Sequence, residues 1–419
     1  MKVGIIGSGG REHAICLAVK SSKIIDKIYC FPGNAGTAKI AKNVNIDLNN
    51  FKKIKDYILS ENINLIIVGP EKPLVEGLVD YLENFNIKVF GPSKKASQLE
   101  GSKIFTKKFC KKNSIPTADF SIISKSSQIE KVISKYKYPL VVKVDGLAAG
   151  KGVYICKNKN QSLDAIEEIF SGKFGNVKNI LLEEFLEGEE MSFFIVSDGR
   201  NYIKFGTAQD HKRALENDKG KNTGGMGAYS PSRLDDKRLE RKIINKIINP
   251  TLKGLNKMGI VYKGFLYAGL MIVDGEPFLI EYNVRMGDPE CQTILPKLKT
   301  SFLTIVNNCV HNKLRNYKIK WHKDKSLCIV LCSKGYPEKF LNHKMIDLMK
   351  VKLKKNEYMF HAGTKLVNEK IISNGGRVLN IVVKSKNFKS ARQRAIYILK
   401  KINWKNGYYR KDIGYKVIS

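Results

Sequence analysis

The first hundred residues alternate short apolar runs with mixed, helix-spaced stretches. KVGIIG at residues 2–7 reads as a strand and REHAICLAVKSS after it as a helix. KIYCF, NLIIVGP and KVFGPS read as further strands. Apolar runs separated by helical patterns argue for a parallel, doubly wound α/β sheet. Ligands of such sheets gather at the carboxyl ends of the strands. Here those ends carry GSGG, PGNAG, GPEKP and GPS. After residue 100 the pattern changes. SKIFTKKFCKKNSI has helical spacing. PLVVKVDGLAAGKGVYIC reads strand, glycine loop, strand, and LLEEFLEGEEMSFFIV adds two strand segments. QDHKRALENDKGKNTGGMGAYSP is polar and glycine-rich without periodicity, and is expected to be an irregular functional segment. A helix is predicted near 236–258. GFLYAGLMIVDGEPFLIEYNV then reads as two strands joined by Asp274-Gly275, the strongest short hairpin signal. From about 327, SLCIVLCSKGYP opens a mixed α/β portion that runs to the end.

The second strand of that hairpin breaks the apolar pattern. Glu281, Asn283 and Arg285 occupy every second position, so a strand turns all three to one side. On a face packed into a core each would cost several kcal/mol unless partnered. A buried ion-pair network is one reading, but it leaves the amide between the charges unexplained. A ligand is the other. Glu281 and Asn283 are hard oxygen donors of the kind Mg²⁺ takes together with nucleotide phosphates. Arg285 suits a phosphoryl group in transfer.

Composition narrows the class. A chain of 419 residues with 43% hydrophobic residues supports several cores. No apolar run approaches the roughly 20 residues of a membrane helix. The start reads as a strand entering a glycine turn, not a signal peptide, so a cytoplasmic protein is expected. The eight cysteines form no C-x-x-C pair and are expected to be reduced thiols serving as small hydrophobes. Lys and Arg number 74 against 39 Asp and Glu, a net charge of +35. Such charge fits nucleic-acid binding. Yet the lysines are spread along the whole chain among Ile and Asn, with no basic-aromatic stripe, as in proteins of AT-rich genomes. Small-molecule partners are expected, with no nucleic acid and no membrane, and a basic surface would steer phosphorylated substrates inward.

Four other segments carry candidate chemistry. GSGGREH stands where a helix N-terminus binds an anion. Glu12 occupies the place of the third glycine of a dinucleotide fingerprint, and CFPG lacks the acidic residue that holds an NAD ribose. The segment therefore reads as a tight turn or as a seat for some other phosphorylated molecule. VVKVDGLAAGKGV places Lys143 on a strand and Lys151 in a loop bracketed by Gly146, Gly150 and Gly152, suited to phosphate oxygens. It is not a Walker A loop, because Gly152 stands where Ser or Thr is required. EEFLEGEEMS could offer backbone to a purine and a carboxylate to ribose, or be a solvated turn. NTGGMGAYSP, with Gly224, Gly225 and Gly227, demands unusual backbone angles or close ligand approach, or is a flexible loop.

In order, the segments G-x-G-G-R-E-H-A, PGNAGT, GPE-x-PLV, GPS, LEGSK, VVKVDGLAAGKGV, EEFLEGEE, QDHKR, NTGGMGAYSP, GFLYAGLM, E-x-N-x-R-x-GDPE, HAGTK, NGGRVL and RKDIGY resemble the phosphoribosylamine–glycine ligases of the ATP-grasp superfamily. The resemblance runs from Val3 to Tyr415. E-x-N-x-R alone marks only ATP-grasp, whereas NTGGMGAYSP, DGLAAGKGV and RKDIGY are far more specific. The resemblance implies an ATP-grasp fold with an N-terminal doubly wound domain at 1–103. An ATP-grasp domain at 104–326 would carry a small mobile lid at about 121–189, and a mixed α/β domain would follow at 327–419. It implies ATP-dependent joining of glycine to 5-phosphoribosylamine through glycyl phosphate, in purine biosynthesis, by a monomer using Mg²⁺ or Mn²⁺.

Residue by residue, the resemblance makes Glu281 and Asn283 the metal ligands and sets Arg285 against the transferring phosphate. Lys103 and Lys143 contact the nucleotide, and Gly146, Gly150, Lys151 and Gly152 fold over its phosphates. Glu183, Glu184, Phe185 and Leu186 line adenine, Glu190 meets the ribose, and Arg213 and Asn222 approach ATP. Gly9, Gly10, Asn34 and Glu71 are expected to hold phosphoribosylamine. Asp210, Ser230, Asp288 and Glu290 are the candidates for glycine or the amine. Cys291 and Met286 depart from the family's commoner hydroxyl and aromatic residues, and are expected to shift rate or affinity, not the reaction.

Overall fold

The computed structural model describes residues 1–148, 152–175 and 177–418. Five short parallel strands form the first sheet, in the order Lys42–Asn43, Lys27–Pro32, Lys2–Gly7, Leu65–Val68, Val89–Phe90. Their apolar runs are buried on both faces by helices such as Gly10–Lys20 and Phe51–Ser60. The order reverses direction beside the central strand Lys2–Gly7, where a doubly wound sheet opens a crevice. Glu12 fills that place. A Cβ at Gly69 would lie 2.0 Å from Glu12 Oε1, and one at Gly7 2.5 Å from its Cγ. A side chain thus sits where the missing third glycine would have let a pyrophosphate approach.

A four-stranded antiparallel sheet, ordered Phe120–Ile123, Ile180–Glu184, Leu140–Val144, Val153–Cys156, has its own core of Ile123, Leu140, Val142, Ile166, Ile169 and Leu182. The helix Lys159–Phe170 closes it, begun by the Asn158 side chain, which accepts from Gln161 N at 3.0 Å.

The remaining chain builds one nine-stranded sheet and two small two-stranded ribbons. Glu276–Asn283, Lys263–Val273, Glu189–Asp198 and Tyr202–Asp210 run antiparallel in that order. Asp274 and Gly275 join the first two with φ of +49° and +74°, the positive pair that a type I′ hairpin turn requires. The predicted helix near 236–258 spans Lys237–Ile243, a π-helical turn at Ile244–Ile248 and Asn249–Lys257. Pro250, which cannot donate, lies just past the π turn.

Two elements differ from expectation. The glycine-rich segment after Gln209 is ordered: Arg213–Leu215 and Lys219–Asn222 form a small hairpin, and Gly227–Ser230 is a sheet strand. That strand joins Tyr202–Asp210 to Lys325–Ser333, so the C-terminal strands continue the same sheet. Polarity concealed this strand because its partners lie far away in sequence. Arg285 lies beyond the strand end at Asn283 and not on its face. A bulge at Ile280, opposite Gly269–Leu270, precedes Glu281, and the register from Glu281 to Asn283 is regular. All eight cysteines are free and buried. Among the described residues no helix is long and apolar enough to cross a membrane.

Candidate active site

A cleft of about 890 Å³ is lined by the four-stranded and nine-stranded sheets, the small Arg213–Asn222 hairpin and the loops between them, with Arg11 and Glu71 reaching it from helices of the first portion. Glu281, Asn283 and Arg285 all reach it, Glu281 and Asn283 from the end of the Glu276–Asn283 strand. Burial tends to raise the Glu281 carboxyl, but Lys212, Lys143 and Lys103 outweigh it and hold the group ionised below its ordinary range. Asn283 Nδ2 lies 3.5 Å from Glu281 Oε1. Among the described residues no group of three or more His, Cys, Asp and Glu side chains could hold a metal ion. One ionised carboxylate with one amide still fits Mg²⁺, which keeps several waters and takes phosphate oxygens as further ligands.

Arg285 is gripped by acids. Its Nη2 donates to Glu100 Oε1 at 2.6 Å, and its Nε lies 3.2 Å from Glu71 Oε2. Burial opposes the guanidinium charge, but Glu100 and Glu71 more than offset it and raise its pKa further. Burial likewise works against Glu71, yet Arg285 and Arg11 pull its carboxyl down to about 2. Glu100 is sequestered more deeply. Burial pushes it up to about 7 against the pull of Arg285, while Val284 N donates to its Oε2 at 2.8 Å.

The nucleotide candidates divide. Lys143 Nζ and Lys107 Nζ lie 2.9 and 3.0 Å from Glu183 Oε2. Glu183 Oε2 is therefore shared by two buried lysines, while its Oε1 is buried with no hydrogen-bond partner among the described residues. Glu184 Oε1 accepts from Asp119 N at 3.0 Å. Phe185 and Leu186 follow on the cleft wall, with Phe185 exposed toward solvent. Glu190 pairs with Lys212 at 3.0 Å. Lys103 Nζ donates to Gly146 O at 2.8 Å, tying the helix Lys103–Lys112 to the glycine loop. Arg213 and Asn222 line the cleft from opposite strands of the small hairpin. Gly152 packs on Val144 and Ala148 outside the cleft lining. Gly150 and Lys151 lie outside the described residues.

The substrate candidates divide more sharply. Asp210, Asp288 and Glu290 line the cleft. Burial and the charge of Glu290 push the Asp210 carboxyl well above its ordinary value, against Lys212 and Arg377. A Cβ at Gly225, whose φ is +113°, would lie 2.7 Å from Asp210 Oδ1 and 2.6 Å from Pro289. Close approach thus explains one glycine of NTGGMGAYSP. Glu71 lines the cleft through its contact with Arg285.

Gly9, Gly10, Asn34 and Ser230 lie outside the cleft lining. The helix N-terminus is occupied by the protein's own carboxylates: Glu12 Oε2 accepts from Gly9 N at 2.6 Å, and Asp288 Oδ2 from Arg11 N at 3.3 Å. These anions compete with the phosphate expected there. Gly10 faces Asn380 and Gln292. The Asn34 amide donates to Ser8 O and His361 O, both at 2.8 Å, and accepts from Gly36 N and Thr37 N. It binds the PGNAGT loop to the C-terminal portion. Ser230 Oγ donates to Thr207 O at 2.7 Å within the sheet.

Sequence reasoning missed Glu100, Lys107, Lys212 and Arg377. Lys107 stood in a lysine cluster that reads as a solvated face, yet it is 2% exposed. Glu100, Lys212 and Arg377 stood inside quoted motifs, LEGSK, QDHKR and NGGRVL, which was their only signal. Arg377 lies 3.5 Å from Asp288 Oδ1.

Known proteins match this architecture over the chain's length. Family models for phosphoribosylglycinamide synthetase match its N domain at residues 1–100, its ATP-grasp (A) domain at 101–291 and its C domain at 326–416. The chain is 42% identical to phosphoribosylamine–glycine ligase of Caldanaerobacter subterraneus subsp. tengcongensis, covering 99% of each. It is 41% identical to that of Brucella melitensis biotype 1, covering 100% of this chain and 98% of the relative. The crystal structure of phosphoribosylamine–glycine ligase from Thermotoga maritima superposes with a TM-score of 0.86 at 33% identity, over 99% of this chain and 100% of that one. The biotin carboxylase domain of Hydrogenobacter thermophilus 2-oxoglutarate carboxylase, solved with magnesium ADP, shares the fold at a TM-score of 0.74 and 18% identity, over 97% and 91% of the two chains. With its ATP-grasp fold and three matched domains, the chain belongs to the phosphoribosylglycinamide synthetase family.

Proposed function

We propose that the protein joins glycine to 5-phosphoribosylamine at the expense of ATP, giving glycinamide ribonucleotide, ADP and phosphate, in purine biosynthesis. The supporting observation is a cluster of cations at one place in the cleft. Lys103, Lys143, Lys212 and Arg285 surround one ionised carboxylate, Glu281, with Asn283 beside it. That distribution suits a polyphosphate with a divalent cation. Mg²⁺ would be held by Glu281 and Asn283 and would neutralise charge on the phosphate oxygens. Adenine would lie against the segment from Glu184 to Leu186, and the four-stranded sheet would serve as a lid over the phosphates.

A glycine carboxylate oxygen attacks the γ-phosphorus and ADP leaves, giving glycyl phosphate. The amine of phosphoribosylamine then attacks the acyl carbon, phosphate departs and the nitrogen gives up a proton. Arg285, kept charged by Glu100 and Glu71, stands ready for the phosphoryl oxygens in both steps. Asp288, held ionised beside Arg377 and Arg11, offers negative charge for the glycine ammonium, with Asp210 and Glu290 beside it as further oxygen partners. The protein's work is positioning and charge neutralisation, as is general for phosphoryl transfer. The test is ADP release in the presence of Mg²⁺, with each substrate withheld in turn. Release dependent on both glycine and phosphoribosylamine, matched by amide product, is expected. Release that ignores either substrate overturns the reading.

A further inference from the structure

RKDIGY, residues 410–415, has no part in the site as described so far. Its charged and hydroxyl side chains converge on one element, while Ile413 packs into the core. Arg410 is 0% exposed. Its Nη1 donates to Arg213 O at 2.9 Å and pairs with Asp218 Oδ1 at 2.9 Å. Its Nε and Nη2 form a two-point fork with Asp412 at 2.9 and 2.7 Å. Asp412 Oδ2 in turn accepts from Asn217 N at 2.9 Å, and Lys411 N donates to Glu216 Oε1 at 3.1 Å. Tyr415 OH donates to Asp218 Oδ2 at 2.7 Å. Arg213, Glu216, Asn217 and Asp218 all belong to the Arg213–Asn222 hairpin, which turns Arg213, Asp218 and Asn222 to the cleft.

At the root of the hairpin stands His211. Gly414 N donates to His211 Nε2 at 3.1 Å. The ring must accept at Nε2, so the neutral imidazole carries its hydrogen on Nδ1. That nitrogen is buried and has no partner among the described residues, and the ring lines the cleft. The hairpin holds itself weakly. It has two paired positions, Arg213 with Asn222 and Leu215 with Lys219, with an irregular register between them. A ribbon of that size is marginal on its own, so its pose depends on what anchors it.

We propose that the segment Arg410–Tyr415 is a positioning clamp for the nucleotide wall of the cleft. It touches no substrate. It sets the hairpin that presents Arg213 and Asn222, and it fixes the Nδ1–H tautomer of His211. The inference rests on the cleft being an ATP site.

The test measures ATP affinity by calorimetry with excess Mg²⁺, and then steady-state kinetics, in Arg410→Lys, Asp412→Asn and Tyr415→Phe. Arg410→Lys loses the planar fork and is expected to weaken ATP roughly tenfold, one decade in Kd. Asp412→Asn and Tyr415→Phe, each losing one anchor, are expected to weaken it about threefold on the same scale. The KM for ATP rises in proportion, while kcat and the KM for glycine stay within about twofold of wild type. Tyr415 is partly exposed, so Tyr415→Phe remains informative if Arg410→Lys does not fold. Folded variants that melt earlier but bind ATP as wild type does would reduce the segment to a structural role and overturn the inference. A parallel rise in the KM for glycine would overturn it as well. Wild-type protein that gives no ATP binding signal would instead overturn the reading of the cleft, an outcome told apart because it appears before any variant is compared.

Discussion

Glu100 offers the sharpest perturbation, because it grips Arg285, proposed to face the phosphoryl oxygens, from outside the E-x-N-x-R motif. Glu100→Gln keeps the size of the side chain and an oxygen for Val284 N, which now donates at 2.8 Å. It removes the charge that Arg285 Nη2 meets at 2.6 Å. Glu71 remains 3.2 Å from Arg285 Nε, so the guanidinium keeps one acid and stays protonated. The loss is then that of one charged hydrogen bond, about 1.5–3 kcal/mol, or roughly 10- to 150-fold in turnover. A pH signature accompanies it. Burial sets the Glu100 carboxyl at about 7, so its grip strengthens as pH rises through that value and the group ionises. Turnover under saturating ATP, glycine and phosphoribosylamine should climb between pH 6 and 8 in wild type, and that rise should be absent in Glu100→Gln. Turnover within twofold of wild type, or an unchanged pH profile, would refute the reasoning that Arg285 depends on Glu100.

Four further outcomes are expected. Glu281→Gln should lower Mg²⁺-dependent turnover by several orders of magnitude, as loss of a metal-held charge at the reacting phosphate implies, while circular dichroism stays native. Arg285→Lys should lose roughly 100- to 1,000-fold in kcat, since a point charge does not replace a planar fork. Lys107→Met leaves buried Glu183 with Lys143 alone and should cost about 2–3 kcal/mol in denaturant unfolding, below the full cost of stranding a buried charge. His13 and His361 pack together, His361 N donating to His13 Nδ1 at 2.9 Å, and burial lowers their pKa values to about 4 and about 3. Below pH 6.5 the unfolded chain binds protons that the native pair refuses. Stability is therefore full at neutral pH and declines as pH falls from about 6.5 toward 4, and the double variant His13→Gln/His361→Gln should flatten that decline in unfolding titrations.

Much of the architecture was legible because it is local. Alternation of apolar runs and helices marked the first sheet, and Asp274-Gly275 marked a hairpin of the nine-stranded sheet through its two positive φ angles. Glu281 and Asn283 were legible because polar residues on a strand face need partners. What stayed hidden depends on partners distant in sequence. Gly227–Ser230 is a strand only because Lys325–Ser333 pairs with it. Lys107 is buried because Glu183, Thr117 and Ala118 receive its ammonium. Glu12 was read as a missing glycine, and the seat that Gly7 and Gly69 make for it appears only in three dimensions. Asn34 looked like a ligand contact, because a conspicuous amide in a PGNAG loop has the same sequence signature whether it binds substrate or, as here, the backbone of Ser8 and His361.

The central claim is that a glycine carboxylate oxygen attacks the γ-phosphoryl group held near Glu281, Asn283 and Arg285. The most direct measurement uses glycine labelled with ¹⁸O in its carboxylate, in a complete reaction with ATP, Mg²⁺ and phosphoribosylamine, followed by mass analysis of the phosphate released. The account predicts one ¹⁸O atom in each phosphate and the other in the amide product. Phosphate without label, alongside amide formation, would contradict a glycyl-phosphate route and the role assigned to Arg285.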